Sequence, residues 1–454
     1  MAKKMWGGRF TRKIDKEFDI FQKSVHYDYK LAEYDVYHSI IHVFALLYTK
    51  VITANEARRL TSALRDIWFE IKSTRFKYNP LSEDIHTDIQ NRLEKRVGAA
   101  ALKLQSFRSR NEQIIFDERC YCIIEGKNIG ELISKAIDSL NWLADKYKKN
   151  FFLGYTHTQR AQVVKFSDYI LSFAWMFNRD SKRIDNFLKD VEIPIGCGAL
   201  AGSYIKKEDY NKAINKFIKK FSFKNLPFKI LLTKNPLDNI SDRDFIIEFL
   251  NILSILQMHL SRLAEDFILY SAKEFNFFAL PEEYACGSSL MPHKKNPDFL
   301  ELVRGYTGRL YGNLISVFVM MKGLPLTYNR DMQLDKGPLF SSVGIIKDEL
   351  KILAKFIKGI KLNEKVIDDA LGDESLYATE LAQLLVEKGI PHKSAHTIIG
   401  RLINYSEKKK QKIKDMNNDL LKDFHPALNS KEVKIRLNPK FAVECKRSIR
   451  RSFS

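Results

Sequence analysis

The sequence has few glycines and prolines and no long hydrophobic run, and each shortage argues against a class of protein. Its 454 residues include 20 glycines and 12 prolines, which favours long helices over a turn-rich β fold. The apolar stretch LISVFVMM at residues 314–321 is far shorter than the roughly 18 residues of a membrane span. The N-terminal MAKKMWGGRF has no apolar segment like that of a secretory signal, so we expect neither export nor a membrane anchor.

Cysteine and histidine are also too sparse to suggest a metal or disulfide framework. The five cysteines are odd in number and form no CxxC pair, so a reducing cytoplasm is the expected compartment. His38 and His42 are four residues apart, as are His392 and His396, but no glutamate follows as in a zinc protease. We interpret both pairs as helix-face residues. No GxGxxG or Walker pattern occurs, so neither a metal nor a cofactor is expected.

Positive charge, by contrast, is abundant. The formal net charge is +20, and the densest basic clusters lie at residues 407–414 and 446–451. Most lysines are scattered along amphipathic faces, and no zinc-finger spacing or RNA-binding aromatic signature accompanies them. We therefore expect solvated basic faces and no nucleic-acid partner, although the positive field would help to attract anionic substrates.

Apolar periodicity predicts several long helices. Residues 129–147 and 161–180 carry the i, i+3, i+4, i+7 stripe of amphipathic helices. Residues 244–275 are apolar on most faces, which predicts a helix buried among others, and residues 297–322 form another long pattern. Alternating strand patterns are scarce. The sequence therefore predicts an all-α fold with a central bundle of long helices at residues 105–355. Smaller helical domains are expected at residues 1–104 and 356–454.

The segment GSSLMPHKKNPD, residues 287–298, interrupts two of these helical patterns. It combines a flexible glycine, two serines and two lysines, and it precedes a helix for which Asn296 and Pro297 are a plausible cap and first residue. A helix N-terminus attracts anions. The residues alone leave two interpretations open, a flexible linker or a mobile loop that delivers a serine and a lysine to an anionic substrate.

Four further polar segments are candidates for chemistry, and each also has a structural explanation as a charged face, a cap or a solvated loop. They are EDIHTD (83–88), SFRSRNEQ (106–113), LGYTHTQRAQ (153–162) and TYNRDMQLDK (327–336). Arginine forks such as those of Arg108 and Arg110 suit carboxylates. A loop histidine such as His157 is more often structural than catalytic.

Together these segments resemble the argininosuccinate lyase family of the fumarase/aspartase superfamily. GSSLMPHKKNP is similar to the superfamily's signature loop, and YNRDMQ downstream separates the match from adenylosuccinate lyases. The remaining matching segments are MWGGRF (5–10), GALAG (198–202), SDRDF (241–245), LAED (263–266) and ATEL (378–381). The resemblance covers nearly the whole chain. It implies three mostly helical domains, a homotetramer whose active sites lie where three subunits meet, and reversible cleavage of argininosuccinate to arginine and fumarate.

The resemblance also implies roles for individual residues. Ser288 corresponds to the base that removes the succinyl Cβ proton and His157 to the partner acid, with the reverse assignment left open. Lys294 and Asn296 correspond to residues that hold a substrate carboxylate and stabilise the carbanion. The substrate-binding positions implied by the resemblance are Ser24, His86, Thr87, Ser109, Arg110, Asn111, Thr156, Asn296, Tyr328, Gln333 and Lys336.

The match has departures that leave alternatives open. The chain reads QSFRSRNE where the family usually has HTGRSRND, so Gln105, Phe107 and Glu112 replace a histidine, a glycine and an aspartate. His293 stands where the loop commonly has glutamine, and Leu334 replaces an acidic residue. Two alternatives therefore accompany the main expectation. One is a lyase that releases fumarate from another N-succinyl amine, and the other is a non-enzymatic scaffold on the same fold.

Overall fold

The structure, a computed structural model, describes residues 9, 11–73, 75–220, 228–446 and 448. The MWGGRF motif lies outside these residues except for Arg9, and the basic cluster at 446–451 is described only at residues 446 and 448.

The described chain is mostly helical, as the sequence predicts. Its α-helices are α1 (Lys16–Phe21), α2 (Val25–Asp28), α3 (Ala32–Tyr48), α4 (Ala54–Lys72), α5 (Ile85–Val97), α6 (Arg110–Lys146), α7 (Phe166–Asp190), α8 (Lys207–Lys220), α9 (Pro236–Ser241), α10 (Asp244–Ser271), α11 (Asp298–Met321), α12 (Lys336–Gly359), α13 (Glu364–Leu371), α14 (Ala378–Glu387), α15 (His392–Lys409), α16 (Asn418–Phe424), α17 (Ser430–Arg436) and α18 (Pro439–Glu444). One or more 3-10 turns occur at each of Tyr29–Leu31, Gly98–Gln105, Glu282–Tyr284, Arg330–Asp335, Glu374–Tyr377 and Ile413–Asp415.

The long helices follow the apolar pattern closely. In α6 five residues of the predicted stripe are fully buried and form a core-facing seam with a spacing of three and four residues, whereas Leu132 and Ile137 are only partly buried. The five buried residues are Ile129, Ile133, Ala136, Leu140 and Leu143. The helix predicted at residues 244–275 is α10, which ends at Ser271. By length and composition α10 could also cross a bilayer, but 61% of its most apolar window is buried in the protein. Such burial is typical of a core helix in a soluble protein.

In the part of the chain that the structure describes, four small two-stranded sheets interrupt the helices. Strands β1 (Phe151–Thr156) and β2 (Gln159–Lys165) are antiparallel, and β3 (Ile193–Ile195) pairs in parallel with β4 (Ile230–Leu232). Strands β5 (Phe278–Ala279) and β8 (Lys361–Leu362) are antiparallel, as are β6 (Cys286–Gly287) and β7 (Lys295–Asn296).

Two predictions at helix starts were wrong. The helix predicted from residue 161 begins at Phe166, because the preceding residues pair with β1 in a hairpin. The helix predicted from Pro297 begins at Asp298. The carbonyl of Pro297 accepts the N–H of Glu301, so Pro297 and not Asn296 occupies the cap position. Asn296 instead pairs with Cys286 across the short sheet.

The described residues group into two compact units, each drawn from three stretches of chain. The first lies within Met1–Ile133, Asp180–Met258 and Gly305–Glu349. In it the almost fully buried α3 packs against α4, α5 and α8.

The second unit lies within Ser134–Arg179, His259–Arg304 and Leu350–Ser454. It contains an aromatic cluster around Phe152, whose ring stacks on Phe278 at a centroid distance of 5.8 Å. It also contains a separate aliphatic core between α14 and α15. The three-domain division at residues 1–104, 105–355 and 356–454 stays a prediction.

Candidate active site

The first unit contains a polar cavity of about 420 Å³ that collects sequence-distant segments. Its lining comes from α2, the start of α5, the start of α6, the 3-10 turn Arg330–Asp335 and the start of α12. The predicted binding residues that line it are Ser24, His86, Thr87, Arg110, Asn111, Tyr328, Gln333 and Lys336. The other lining residues are Asp28, Glu83, Asp84, Gln105, Arg108, Ile114 and Arg330.

Asp84 joins the EDIHTD and RSRN segments. It caps α5 by accepting the N–H of Thr87 at 2.7 Å, and the same oxygen accepts from Arg110 Nη1 at 2.8 Å. Burial opposes ionisation of Asp84, but Arg110, His86 and the hydrogen bonds from Thr87 together outweigh it and hold the carboxyl pKa below its usual range. The N-cap of one helix thereby fixes an arginine that begins another.

Two buried carboxyl groups lie close to the His86 ring. Its Nδ1 lies 2.9 Å from Asp35 and 3.7 Å from Asp117. Burial opposes ionisation of Asp35, yet His86, Arg108 and Arg110 hold its pKa below the usual range. Burial and then the charge of Asp35 raise the pKa of Asp117 well above its usual value.

Asp35, His86 and Asp117 are also the candidate cation ligands among the described residues. The ligand atoms of Asp35, His86 and Asp117 lie within 4.8 Å of one another. However, Asp35 already accepts from Gln113 Nε2 at 2.7 Å, and the nearby arginines supply the positive charge that a metal would bring. The arrangement fits a hydrogen-bonded support for His86 better than a metal centre.

Lys336 belongs to a buried network of four charges. Its Nζ contacts Asp335 at 2.9 Å and also pairs with Glu118, while Arg243 Nε contacts Asp335 at 2.5 Å and Glu118 at 3.4 Å. Burial disfavours the Lys336 cation, but Asp335 and Glu118 outweigh it and raise the lysine pKa. Burial and the charge of Asp335 raise the pKa of Glu118 to about 7. Lys336 therefore brings a fixed positive charge to the cavity.

Ser24 and Gln333 are also oriented by hydrogen bonds. The Ser24 hydroxyl donates to Asp28 at 2.6 Å, and burial, reinforced by the charge of Asp84, raises the pKa of Asp28 to about 6. Gln333 Nε2 donates to the hydroxyl of Tyr27 at 3.2 Å. Burial raises the pKa of Tyr328, and the nearby Lys336 partly offsets that shift.

Asn111 and Ser109 sit at the start of α6. The Oγ of Ser109 accepts the N–H of Asn111 at 3.2 Å, and Asn111 Nδ2 donates to the carbonyl of Ala199 at 3.3 Å. Ser109 does not line the cavity. Its hydroxyl supports the first turn of the helix that carries Arg110 and Asn111.

The remaining predicted residues belong to the second unit. Thr156 and His157 are exposed at the tip of the β1–β2 hairpin. His157 and Thr158 have φ of 52° and 58°, the left-handed backbone of a two-residue hairpin turn. The break between helices at His157 was predicted, but its strand structure was missed.

Ser288 lies in the GSSLMPHKKNP loop, which β6 and β7 close at its base. The Ser288 Oγ accepts the N–H of Met291 at 3.0 Å and that of Leu290 at 3.3 Å. Lys294 is exposed, and its N–H donates to the carbonyl of Met291 at 3.1 Å. The segment is therefore a hairpin with its own hydrogen bonds, which favours the loop interpretation over a linker.

Comparison with known proteins shows the family to which the chain belongs. Residues 8–312 match a family described as lyase, and residues 375–444 match the argininosuccinate lyase C-terminal family. An argininosuccinate lyase of Carboxydothermus hydrogenoformans is 41% identical over 94% of this chain and 91% of its own. One of Caldanaerobacter subterraneus is 40% identical over 93% of both chains. The chain belongs to the argininosuccinate lyase family.

Solved structures confirm the mostly helical fold that this family membership implies. An EDDS lyase in complex with formate matches with a TM-score of 0.76 at 19% identity, over 96% of this chain and 86% of that one. A class II fumarase from Schistosoma mansoni matches with a TM-score of 0.74 at 15% identity, over 90% of both chains. At such identities the likeness concerns the fold.

Most departures from the family pattern lie outside the cavity. Phe107 has a φ of 63°, its ring is 40% exposed and it packs against Tyr204 at 5.5 Å. Leu334 is 68% exposed, and His293 is an exposed residue of the Ser288 loop. Among these positions only Gln105 lines the cavity.

Several lining residues were missed by sequence reasoning. Asp28 lies one helical turn after Ser24, a spacing that could have shown that the two share a face. Glu83 and Asp84 lie within the EDIHTD segment, but only its His86 and Thr87 were selected. No local signal marks Glu118 or Arg243 as partners of Lys336, since they are distant in sequence.

Proposed function

We propose that the protein cleaves argininosuccinate reversibly to arginine and fumarate, and that it serves arginine biosynthesis. The observation that carries the proposal is the cavity, which collects eight of the predicted binding residues from segments distant in sequence. Arg110 and Lys336 bring positive charge to it, which suits a dicarboxylate. Membership of the argininosuccinate lyase family narrows the dicarboxylate to an N-succinyl derivative of arginine.

In this proposal a base removes a proton from the succinyl Cβ, and the charge moves onto the adjacent carboxylate. The C–N bond then breaks and the guanidino nitrogen leaves with a proton from an acid. We assign the base to Ser288 and the acid to His157, and the reverse assignment is the alternative. Two backbone N–H groups already donate to Ser288 Oγ, an arrangement that would stabilise the alkoxide that a serine base requires.

The positive charges have separate tasks in the proposal. Lys294 and Asn296 would hold the carboxylate on which negative charge develops. Arg110 and Lys336 are bound by carboxylates in the free protein, so their positions are set before the substrate arrives. The other residues assigned to substrate binding are Ser24, His86, Thr87, Ser109, Asn111, Thr156, Tyr328 and Gln333. No cofactor or metal takes part.

We further propose a cytoplasmic homotetramer, with each active site built where three subunits meet, and with no nucleic-acid or membrane partner. Support comes from α11, whose exposed apolar side chains would need a protein partner in water. They are Leu302, Tyr306, Tyr311, Ile315, Phe318 and Val319. In such an assembly Ser288 and His157 need not come from the chain that supplies the cavity.

The alternative of another N-succinyl amine gains no support from the geometry. It was motivated by Phe107 and Leu334, and neither lines the cavity. The non-enzymatic alternative gains none either, because Ser288 and His157 are both present.

The test follows fumarate by its ultraviolet absorbance after purified protein is mixed with argininosuccinate. We expect steady fumarate release, and a loss of at least about a hundredfold in kcat for Ser288→Ala if Ser288 is the base. Ser289→Ala is the matched control, since it removes a neighbouring hydroxyl of the same loop and should leave the rate nearly unchanged. A folded wild-type protein that releases no fumarate would refute the proposed substrate.

A further inference from the structure

Glu112 directly follows Asn111, yet its side chain is fully buried and turned toward a different segment. Its Oε1 accepts the backbone N–H of Gly196 at 2.9 Å, and its Oε2 accepts that of Gly198 at 2.6 Å. The ring nitrogen Nε2 of His38 lies 3.3 Å from Oε1. One carboxylate therefore satisfies two buried backbone donors that are 84 and 86 residues away in sequence.

The segment that Glu112 holds is the loop at residues 196–202, which includes GALAG. The loop closes on itself through the N–H of Gly202, which donates to the carbonyl of Cys197 at 2.9 Å. Gly198 has a φ of 59°, and a Cβ at that position would lie 2.2 Å from the carbonyl oxygen of Gly202. So tight a turn has few alternative conformations, and its N–H groups at residues 196 and 198 face a single acceptor group.

The same loop contacts the cavity through Asn111. The carbonyl of Ala199 accepts from Asn111 Nδ2 at 3.3 Å, and Asn111 lines the cavity. That contact determines which end of the amide is directed at the loop. The side chain of Asn111 is thus held by a loop whose own position depends on the next residue in the chain.

We propose that Glu112 is a positioning residue, which anchors the loop at residues 196–202 so that Ala199 orients the Asn111 amide for substrate. The inference rests on the proposed argininosuccinate cleavage. A carboxylate is required because it offers an acceptor oxygen to each of the two N–H groups. Glutamine in the same place would direct an NH₂ group at one of them and leave that buried donor unsatisfied.

A double-mutant cycle tests the proposal through kcat/KM for fumarate formation. Glu112→Gln should lower kcat/KM about tenfold, mainly through KM, because substrate binding by Asn111 is disturbed while the base and acid are intact. In an Asn111→Ala background the same change should lower kcat/KM less than about twofold, because the residue through which Glu112 acts is gone. Glu112→Asp keeps both acceptor oxygens and should retain more activity than Glu112→Gln.

Glu349→Gln is the matched control, because it also exchanges the carboxyl of a buried glutamate of the first unit for an amide but does not touch the loop or line the cavity. Its kcat/KM should equal that of the wild type. If the wild type is active and the losses from Glu112→Gln and Asn111→Ala multiply in the double variant, the positioning role is wrong and the proposed function stands. If Glu112→Gln does not fold, the cycle is run with Glu112→Asp, whose shorter side chain should lower kcat/KM by a smaller factor that again disappears in the Asn111→Ala background. A wild type that forms no fumarate would overturn both proposals.

Discussion

At the scale of single residues, the chemistry of a buried charge depends on the groups that surround it. Lys336 stays a cation although it is buried, because Asp335 and Glu118 both contact it. Among the residues that the structure describes, no cation offsets the burial of Glu349. Burial raises its pKa to about 8, and its interaction with Gln257 lowers that value only in part.

The raised pKa of Glu349 predicts that Glu349→Gln changes the free energy of unfolding by an amount that depends on pH. The carboxyl pKa is about 8 in the folded protein against 4.5 as its reference value, so the folded state binds an extra proton between these limits. Wild-type stability should therefore fall as pH rises through this window, by up to roughly 1.4 kcal/mol per pH unit, and Glu349→Gln should escape that loss. Guanidinium unfolding at pH 5 and pH 7.5 should show a stability advantage of the variant that grows with pH. An advantage that shrinks with pH would contradict the burial argument.

At the scale of elements, the connections between helices carry most of the strained backbone and most of the proposed chemistry. His157 and Thr158 turn the β1–β2 hairpin with left-handed backbone, and Gly198 turns the loop held by Glu112. Phe107 adopts the same left-handed region where the family usually has glycine. A side chain with a Cβ is strained in that conformation by about 1–2 kcal/mol.

The left-handed backbone at Phe107 therefore predicts that a glycine variant is more stable there than an alanine variant, which is the reverse of the usual order. Phe107→Ala removes the ring but keeps the strain, whereas Phe107→Gly removes both, so the glycine variant should be the more stable by about 1 kcal/mol. Leu102, also exposed but within the 3-10 turn Gly98–Gln105, is the control. There alanine should be more stable than glycine. Urea unfolding of the four variants measures both differences, and the same order at both positions would show that Phe107 is unstrained.

At the scale of the whole molecule, the proposal places each active site where three subunits of a tetramer meet. In the C-terminal half of α11 the exposed apolar residues Tyr311, Ile315, Phe318 and Val319 share one side of the helix, here called the α11 face, and Ile315 is 57% exposed. Stable interfaces have apolar centres from which charged residues are depleted. The tetramer proposal thus places this face inside a contact between subunits.

Ile315→Glu should therefore convert the tetramer into smaller species, because it buries an unpaired carboxylate in the contact. Light scattering coupled to size exclusion measures the mass, and the fumarate assay should show activity falling together with it. Ile435→Glu, on α17 at 49% exposure, is the matched control and should keep the wild-type mass. A wild type that is monomeric, or an Ile315→Glu variant that stays tetrameric, would contradict the proposed assembly.

The sequence by itself determined the long helices, and its resemblance to a known family named eight of the fifteen cavity residues. Apolar spacing is a local property, so α10 and the seam of α6 could be predicted within a few residues. Only the tertiary structure decided the β1–β2 hairpin, the Glu118 and Arg243 partners of Lys336, and the attachment of Glu112 to the loop at residues 196–202. These features depend on pairing between groups that are distant in sequence or on backbone conformation, and neither leaves a periodic signal in the chain.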